Sequence, residues 1–456
     1  MERQTSHRKP NILVFFTDQQ RWDTTGLHGN PLDLTPNFDR LAAGGTFVKN
    51  AFTSQPVCGP ARSCMQTGLY ATTSGCYRNG IPLPSELPTL AGQFRAGGYD
   101  TAYIGKWHLA ETGVEPVPIE RRGGYRYWLA ADVLEFTSDA YRTRLFDANN
   151  EPVDLPGYRV DACADAAIRY LDSRKSAQEP FFLFLSFLEP HHQNSRDDYP
   201  SPDAYRNRYV SRYVPPDLAA LGGNAHQHLD GYYGMVKRLD DALGRIMDAL
   251  KSLRMLDDTI VVFTSDHGCH FKTRNGEYKR SCHDSSIRVP LGFSGPGFRR
   301  RGTIDEMVSL IDLPPTLLDA AGLPIPETMQ GRSLLRRLDT EAAPWPDDVF
   351  VQISESQVAR AVRTKRWKYG VTAPDRHPYD DSGSDRYAEQ FLYDLQADPY
   401  ELTNLINQRS HRGVAEHMKE RLLRRMAEAG EAVPDIVAYP DIVDGPRTVA
   451  SEDITE

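Results

Sequence analysis

Four short segments of the chain are apolar at nearly every position: NILVFFT at 11–17, YDTAYIG at 99–105, FFLFLSF at 181–187 and TIVVFT at 259–264. Strands buried on both faces require such runs, because neither face turns to water. Between the last two, Val236, Leu239, Leu243, Ile246 and Leu250 recur at the spacing of one helix face. Strands alternating with helices predict an α/β fold, with a large, mostly parallel mixed sheet flanked by helices. Near 334–345 the pattern changes to a charged, proline-containing connection. Beyond it, the alternating pieces VFVQIS, RWKYGV and FLYDL and a helical stretch at 414–428 predict a smaller C-terminal α+β domain with a short antiparallel sheet. The expected division is a disordered tail at 1–10, the α/β domain at 11–345, the smaller domain at 346–433 and an extended tail at 434–456. The segment 377–389 (HPYDDSGSDRYAE) reads as a polar loop.

The residues that follow each apolar run change the picture from packing to chemistry. They are Asp18-Gln19, then Lys106 and His108, then His191-His192, then Asp266-His267. Ligands of open α/β sheets bind at the carboxyl ends of the strands. Any loop after a buried strand begins with polar residues, so one such end says little. Four that deliver ionisable or metal-binding groups point to a site.

Composition narrows the class. The chain has 456 residues, 40% hydrophobic and 25% charged, which suits a globular protein of two or three domains. A net charge of −9 argues against a nucleic-acid partner. No apolar run reaches the ~20 residues that span a bilayer, so no membrane partner is expected. Six cysteines are too few for a disulfide scaffold and read as thiols. The N-terminal MERQTSHRKP is polar and basic, and the apolar run after it is too short for a secretory signal. The expectation is a cytoplasmic protein, or a periplasmic one if a leader has been removed.

The sharpest local motif is Cys58-Gly59-Pro60-Ala61-Arg62. A helix starting near Pro60 would put Cys58 and Arg62 on one face, a turn apart. A helix N-terminus and a cation both favour negative charge on a group held there. A partly buried structural cysteine fits the same five residues.

With Gly68 ten residues after the cysteine, this motif resembles the signature of the type I sulfatases of the alkaline-phosphatase superfamily. TDQQRWDTTGLHGN, YIGKWH, EPHH, TSDHG followed by IRVP, and LYDLQADPYELTNL resemble further blocks of that family, in order, over about residues 10–407. The resemblance makes 11–345 the catalytic domain. It implies that a formylglycine-generating enzyme oxidises Cys58 to formylglycine, whose hydrate is the nucleophile. Asp18, Gln19, Asp266 and His267, together with residue 58, would hold one divalent metal ion. Ca²⁺ is the first expectation. Mn²⁺ and Mg²⁺ are alternatives, because Asp-Gln and Asp-His stand where many relatives carry Asp-Asp and Asp-Asn.

By the same resemblance, Lys106 and Lys279 bind the sulfate, Arg62 steadies the attacking oxygen and His108 is the base that resets the nucleophile. His191 protonates the leaving oxygen, with His192 as the competing candidate and a further substrate contact. The implied activity is hydrolysis of an O-sulfate on a short saccharide, releasing inorganic sulfate. The alternatives are phosphonate monoester or phosphodiester hydrolysis, an arylsulfatase, and a binding protein that kept the fold. A structural zinc site at His267, Cys269, His270, Cys282 and His283 has no supporting ligand spacing. Substrate selectivity is expected at Tyr125, Tyr127, Trp128 or the 192–198 loop. The sequence carries no signal for oligomeric state.

Overall fold

A computed structural model describes residues 9–339, 344–445 and 449–454. The expected N-terminal tail at 1–10 lies outside these residues except for its last two. Lys9 Nζ donates to Gly97 O and Tyr99 OH to Pro10 O, each at 2.9 Å.

The large sheet has eleven strands: β1 (Asn11–Thr17), β2 (Thr46–Phe52), β3 (Asp100–Lys106), β4 (Tyr127–Ala131), β5 (Thr143–Phe146), β6 (Pro152–Leu155), β7 (Phe181–Ser186), β8 (Thr259–Ser265), β9 (Arg288–Val289), β10 (Leu291–Ser294) and β11 (Gly302–Ser309). Their order is β11-β2-β10-β8-β1-β7-β3-β4-β5-β6, with β9 beside β2. The four apolar runs are the adjacent centre of this sheet, β8-β1-β7-β3, and all their pairings are parallel. That is why their polar sequels meet at one edge.

Alternate residues of β1 fill different cores. Leu13 and Phe15 pack with Leu239, Leu243, Ile246 and Leu250 of the long helix Ala225–Ser252. Ile12, Val14 and Phe16 face Leu313, Leu317 and Leu318 on the other side. The antiparallel pairs lie toward the edges, in β10 with β8 and β2, β9 with β2, and β5 with β4 and β6.

The second sheet has five strands: β12 (Asp348–Ile353), β13 (Ala359–Thr364), β14 (Trp367–Thr372), β15 (Arg386–Asp394) and β16 (Asp435–Val437). Its first four strands pair antiparallel, and β16 adds in parallel to β15. Val414, Met418, Leu422 and Met426 of the helix Arg412–Glu428 cover one face.

Three stretches differ from the pattern reading. The end of the 377–389 segment belongs to β15, where Tyr387 is buried and Glu389 accepts two bonds from Arg412. The C-terminal stretch is held to the second sheet through β16 and through Trp367 Nε1, which donates to Asp453 O at 3.2 Å. The charged connection begins with a short helix, Leu334–Asp339, and residues 340–343 of it lie outside the described residues. No helix among the described residues is long and apolar enough to cross a membrane.

Candidate active site

Five chain segments converge at the carboxyl edge of the central strands. Asp18 and Gln19 follow β1, Lys106 ends β3, His191 follows β7, and Asp266 and His267 follow β8. Cys58 arrives from β2 as the first residue of the helix Cys58–Thr67, where free backbone N–H groups favour negative charge. Gly105 shows how tightly Lys106 is placed: its φ is +107°, and a Cβ there would lie 1.9 Å from Ser186 O on the neighbouring strand. All of these functional side chains are buried.

The distances are those of one centre. Cys58 Sγ lies 2.9 Å from Lys279 Nζ, 3.3 Å from His267 Nε2 and 3.5 Å from Asp18 Oδ1. Asp18 Oδ2 accepts from Lys106 Nζ at 2.8 Å and from Arg62 Nη2 at 3.0 Å. Arg62, one turn after Cys58, also donates to Lys106 O at 2.8 Å and Ser186 Oγ at 2.7 Å. His108 and His191 lie within electrostatic reach of the Cys58 side chain.

Burial alone would push the Cys58 thiol up, yet Lys106, Lys279 and His267 outweigh it and hold it well below the usual thiol range. Burial likewise works against an ionised Asp18, and Lys106, His191 and Arg62 hold its carboxyl well below the usual range. Asp266 goes the other way. Burial, then the charge of Asp18, raise it to about 6.

The residues present fit a divalent cation. Ligand atoms of Asp18, Cys58, Asp266 and His267 lie within 4.8 Å of one another. Gln19 Oε1 is buried without a hydrogen-bond partner, and Asp266 Oδ2 has no hydrogen bond and lies 3.4 Å from Arg62 Nη2. The Gln19 amide is turned by its nitrogen, which donates to Tyr199 OH at 3.1 Å and contacts Cys269 Sγ at 3.6 Å. Its backbone, at φ 71°, donates to Asp266 Oδ1 at 2.9 Å. Two carboxylates, an imidazole and an amide oxygen form a donor set for a divalent ion, and a positive charge there would relieve the repulsion between Asp18 and Asp266.

The two adjacent histidines part company. His191 Nδ1 lies 2.6 Å from His192 O. His192 stacks on it at 4.3 Å and packs against Tyr278 at 4.4 Å, within an aromatic cluster that includes Tyr199.

Other candidates land elsewhere. Tyr125 and Trp128 are buried in the core, and Tyr127 packs on Tyr170 at 4.9 Å. The zinc reading fails among the described residues: His270 bonds Lys279 O at 2.9 Å, His283 bonds Tyr393 OH at 3.1 Å and Cys282 sits between the two sheets. Every cysteine is free. Sequence reasoning missed Glu135, whose Oε1 accepts from Lys106 Nζ at 3.0 Å. Burial opposes its ionisation, but Lys106 lowers it to about 2. It follows β4, which at five residues is too short to stand out as a strand.

The sulfatase family model matches residues 10–323, a span that contains every one of these groups. The chain belongs to the sulfatase family. This sulfatase also matches, over residues 276–428, the model for the C-terminal part of N-sulphoglucosamine sulphohydrolase. It is 30% identical over 447 residues to the ulvan-active sulfatase of Formosa agariphila, covering 94% of this chain and 84% of that protein. The yidJ structure from Bacteroides fragilis is similar with a TM-score of 0.81 at 26% identity, over 95% of this chain and 98% of that one. The phosphonate monoester hydrolase of Agrobacterium radiobacter is similar with a TM-score of 0.71 at 25% identity, over 92% and 96% of the two chains. The protein is a sulfuric ester hydrolase, and its family implies a divalent metal and a formylglycine.

Proposed function

We propose that this sulfatase removes an O-sulfate from a short saccharide, with residue 58 in the formylglycine form installed by a formylglycine-generating enzyme. The observation that carries the reading is Lys279 Nζ 2.9 Å from the Cys58 side chain, with Asp18, held by Lys106 and Arg62, 3.5 Å from it on another side. The saccharide part draws support from the N-sulphoglucosamine sulphohydrolase model and the ulvan-active relative. The net charge of −9 favours a short substrate over a long polyanion, which would need an extended basic groove.

Asp18, Gln19, Asp266 and His267 would hold the metal ion, with Ca²⁺ ahead of Mn²⁺ or Mg²⁺, and when bound it polarises sulfate oxygens and lowers the pKa of a hydroxyl beside it. Converted to formylglycine, residue 58 would supply an aldehyde hydrate with one hydroxyl as nucleophile toward sulfur, displacing the alcohol, and a second whose loss of a proton would re-form the carbonyl as the bond to the sulfate oxygen breaks.

The chain's own residues do the rest. Lys279 and Lys106 take the sulfate oxygens, each worth about 4 kcal/mol at 4 Å and an effective dielectric of 20, before desolvation. Lys106 cannot swing away, because Asp18 and Glu135 fix its ammonium from two sides. Arg62 orients residue 58 and offsets charge developing there. His191 gives a proton to the leaving oxygen from the nitrogen not bonded to His192 O. Burial and Lys279 lower its proton affinity in the free enzyme, and an anionic sulfate beside it restores the charged form. His108 accepts a proton from the residue 58 side chain.

Phosphonate monoester or phosphodiester hydrolysis is the second reading. Gln19 and His267 favour it, as does the similarity to the Agrobacterium radiobacter hydrolase. One preparation assayed on paired sulfate and phosphate esters of the same alcohols separates the two. A higher kcat/KM on the sulfate esters supports the first reading, and a higher value on the phosphate esters replaces it with the second.

A further inference from the structure

A cavity of about 710 Å³ has Glu135, the partner of Lys106, in its wall. Its walls are the short helix Leu134–Thr137, the β5–β6 hairpin and the segment that follows His191. That volume lies within the roughly 300–1,000 Å³ of sites that enclose small ligands.

Glu135 belongs to both places. Its Oε1 holds Lys106 Nζ, while its Oε2 is buried without a partner on a residue that lines the cavity. A buried, ionised carboxylate oxygen left unbonded is costly unless a donor arrives. Gln193 keeps the wall in place. Its Nε2 donates to Glu135 O at 2.8 Å and to Ser138 O at 3.2 Å, and its Oε1 accepts from Arg159 at 3.3 Å. Arg196 ties Asp139 of the wall to Asp198. At the rim, Phe136 and Tyr141 are 59% and 58% exposed, an unusual state for two aromatic rings on one cavity.

We propose that this cavity is the subsite for the sulfated sugar, with Glu135 Oε2 accepting a hydroxyl next to the reacting sulfate and Phe136 and Tyr141 covering the apolar ring faces. The inference rests on the saccharide reading above and goes further, because it sets a rule of selectivity. An ionised carboxylate accepts hydrogen bonds and donates none, so it pairs with a hydroxyl and repels a second sulfate. The substrate is a sugar whose neighbouring position is free.

The test measures kcat/KM of the full-length metal-loaded protein on 4-nitrophenyl sulfate and on a panel of hexose and disaccharide monosulfates, with vicinal disulfates as counterparts. For Phe136→Ala and Tyr141→Ala the best saccharide loses about tenfold or more, while 4-nitrophenyl sulfate, a single ring without hydroxyls, changes less than twofold. Equal losses on both probes, or no loss on the saccharide, overturn the subsite. The wild type prefers a monosulfate to its vicinal disulfate by at least tenfold, and Glu135→Gln narrows that ratio. A ratio unchanged in Glu135→Gln overturns the role of Glu135. If the wild type cleaves 4-nitrophenyl sulfate and no sugar of the panel, the saccharide reading itself falls, and the subsite with it. Turnover of a sugar without sensitivity at Phe136 and Tyr141 removes the subsite alone.

Discussion

Lys279 Nζ lies 2.9 Å from Cys58 Sγ, across 221 positions of sequence. The lysine reaches this point because its own carbonyl is held by His270 Nε2 at 2.9 Å and by Asn275 Nδ2 at 3.0 Å. A loop anchored at its backbone presents the ammonium without needing the cysteine to hold it. Lys279→Ala is therefore expected to fold normally and to lose about 10²–10³-fold in kcat/KM on a sulfate ester, the loss typical of removing one group that stabilises transition-state charge. Steady-state kinetics with a matched melting curve check it.

Tyr199 orients Gln19, one of the residues proposed to hold the metal ion. Its hydroxyl accepts from Gln19 Nε2, which leaves Gln19 Oε1 turned away and unbonded. Tyr199→Phe is expected to weaken divalent-ion affinity by about 10–100-fold, as loss of an orienting partner does in other metal sites. Titration of metal-stripped protein, read by calorimetry, measures it without reference to turnover.

The two sheets are joined by a buried charge cluster. Asp284 pairs with Lys368 Nζ at 2.5 Å and Arg363 Nη2 at 2.9 Å, and Lys368 also binds Glu401 at 2.5 Å. Lys368→Met leaves two carboxylates without that cation in a buried setting, and costs about 3–5 kcal/mol of stability. Denaturant unfolding of the variant against the parent protein reads this directly.

Stability also carries a pH signature away from the active site. Asp240 accepts from the backbone N–H groups of Asn37 and Phe38 at the start of the helix Pro36–Gly44. Burial nevertheless dominates and raises it from 3.8 to about 6. The folded state then binds this proton more tightly than the unfolded chain, so its contribution is present below pH 4 and lost as pH rises to about 6. At about 1.4 kcal/mol per pH unit the full change is on the order of 3 kcal/mol. Melting curves between pH 4 and 7 should show the parent falling relative to Asp240→Asn across this window and running parallel above it.

The legible parts of this protein are those encoded locally. Residues 11–17 and 259–264 are apolar without a break, so they read as central strands, and their polar sequels marked Asp18, Gln19, Asp266 and His267. β13 (ARAVRT) escaped, because its arginines look like a solvated face. Arg360 and Arg363 are buried only because Glu431 and Asp284, far along the chain, pair with them. Glu135 escaped for the same reason, since nothing nearby in sequence announces its contact with Lys106. Sequence alone also gives His191 and His192 the same surroundings. Neighbouring residues share one sequence environment, whereas in the fold His192 packs against Tyr278 and His191 Nδ1 bonds the His192 carbonyl.

In the proposed mechanism residue 58, converted to formylglycine, carries the chemistry. The measurement that tests it most directly is sulfate release by Cys58→Ala against the parent protein, with peptide mass of the parent confirming the aldehyde at position 58. The account predicts formylglycine in the active parent and a loss of at least about 10⁴-fold in the variant, the scale of removing a nucleophile. Sulfate release by Cys58→Ala at the parent rate would contradict it.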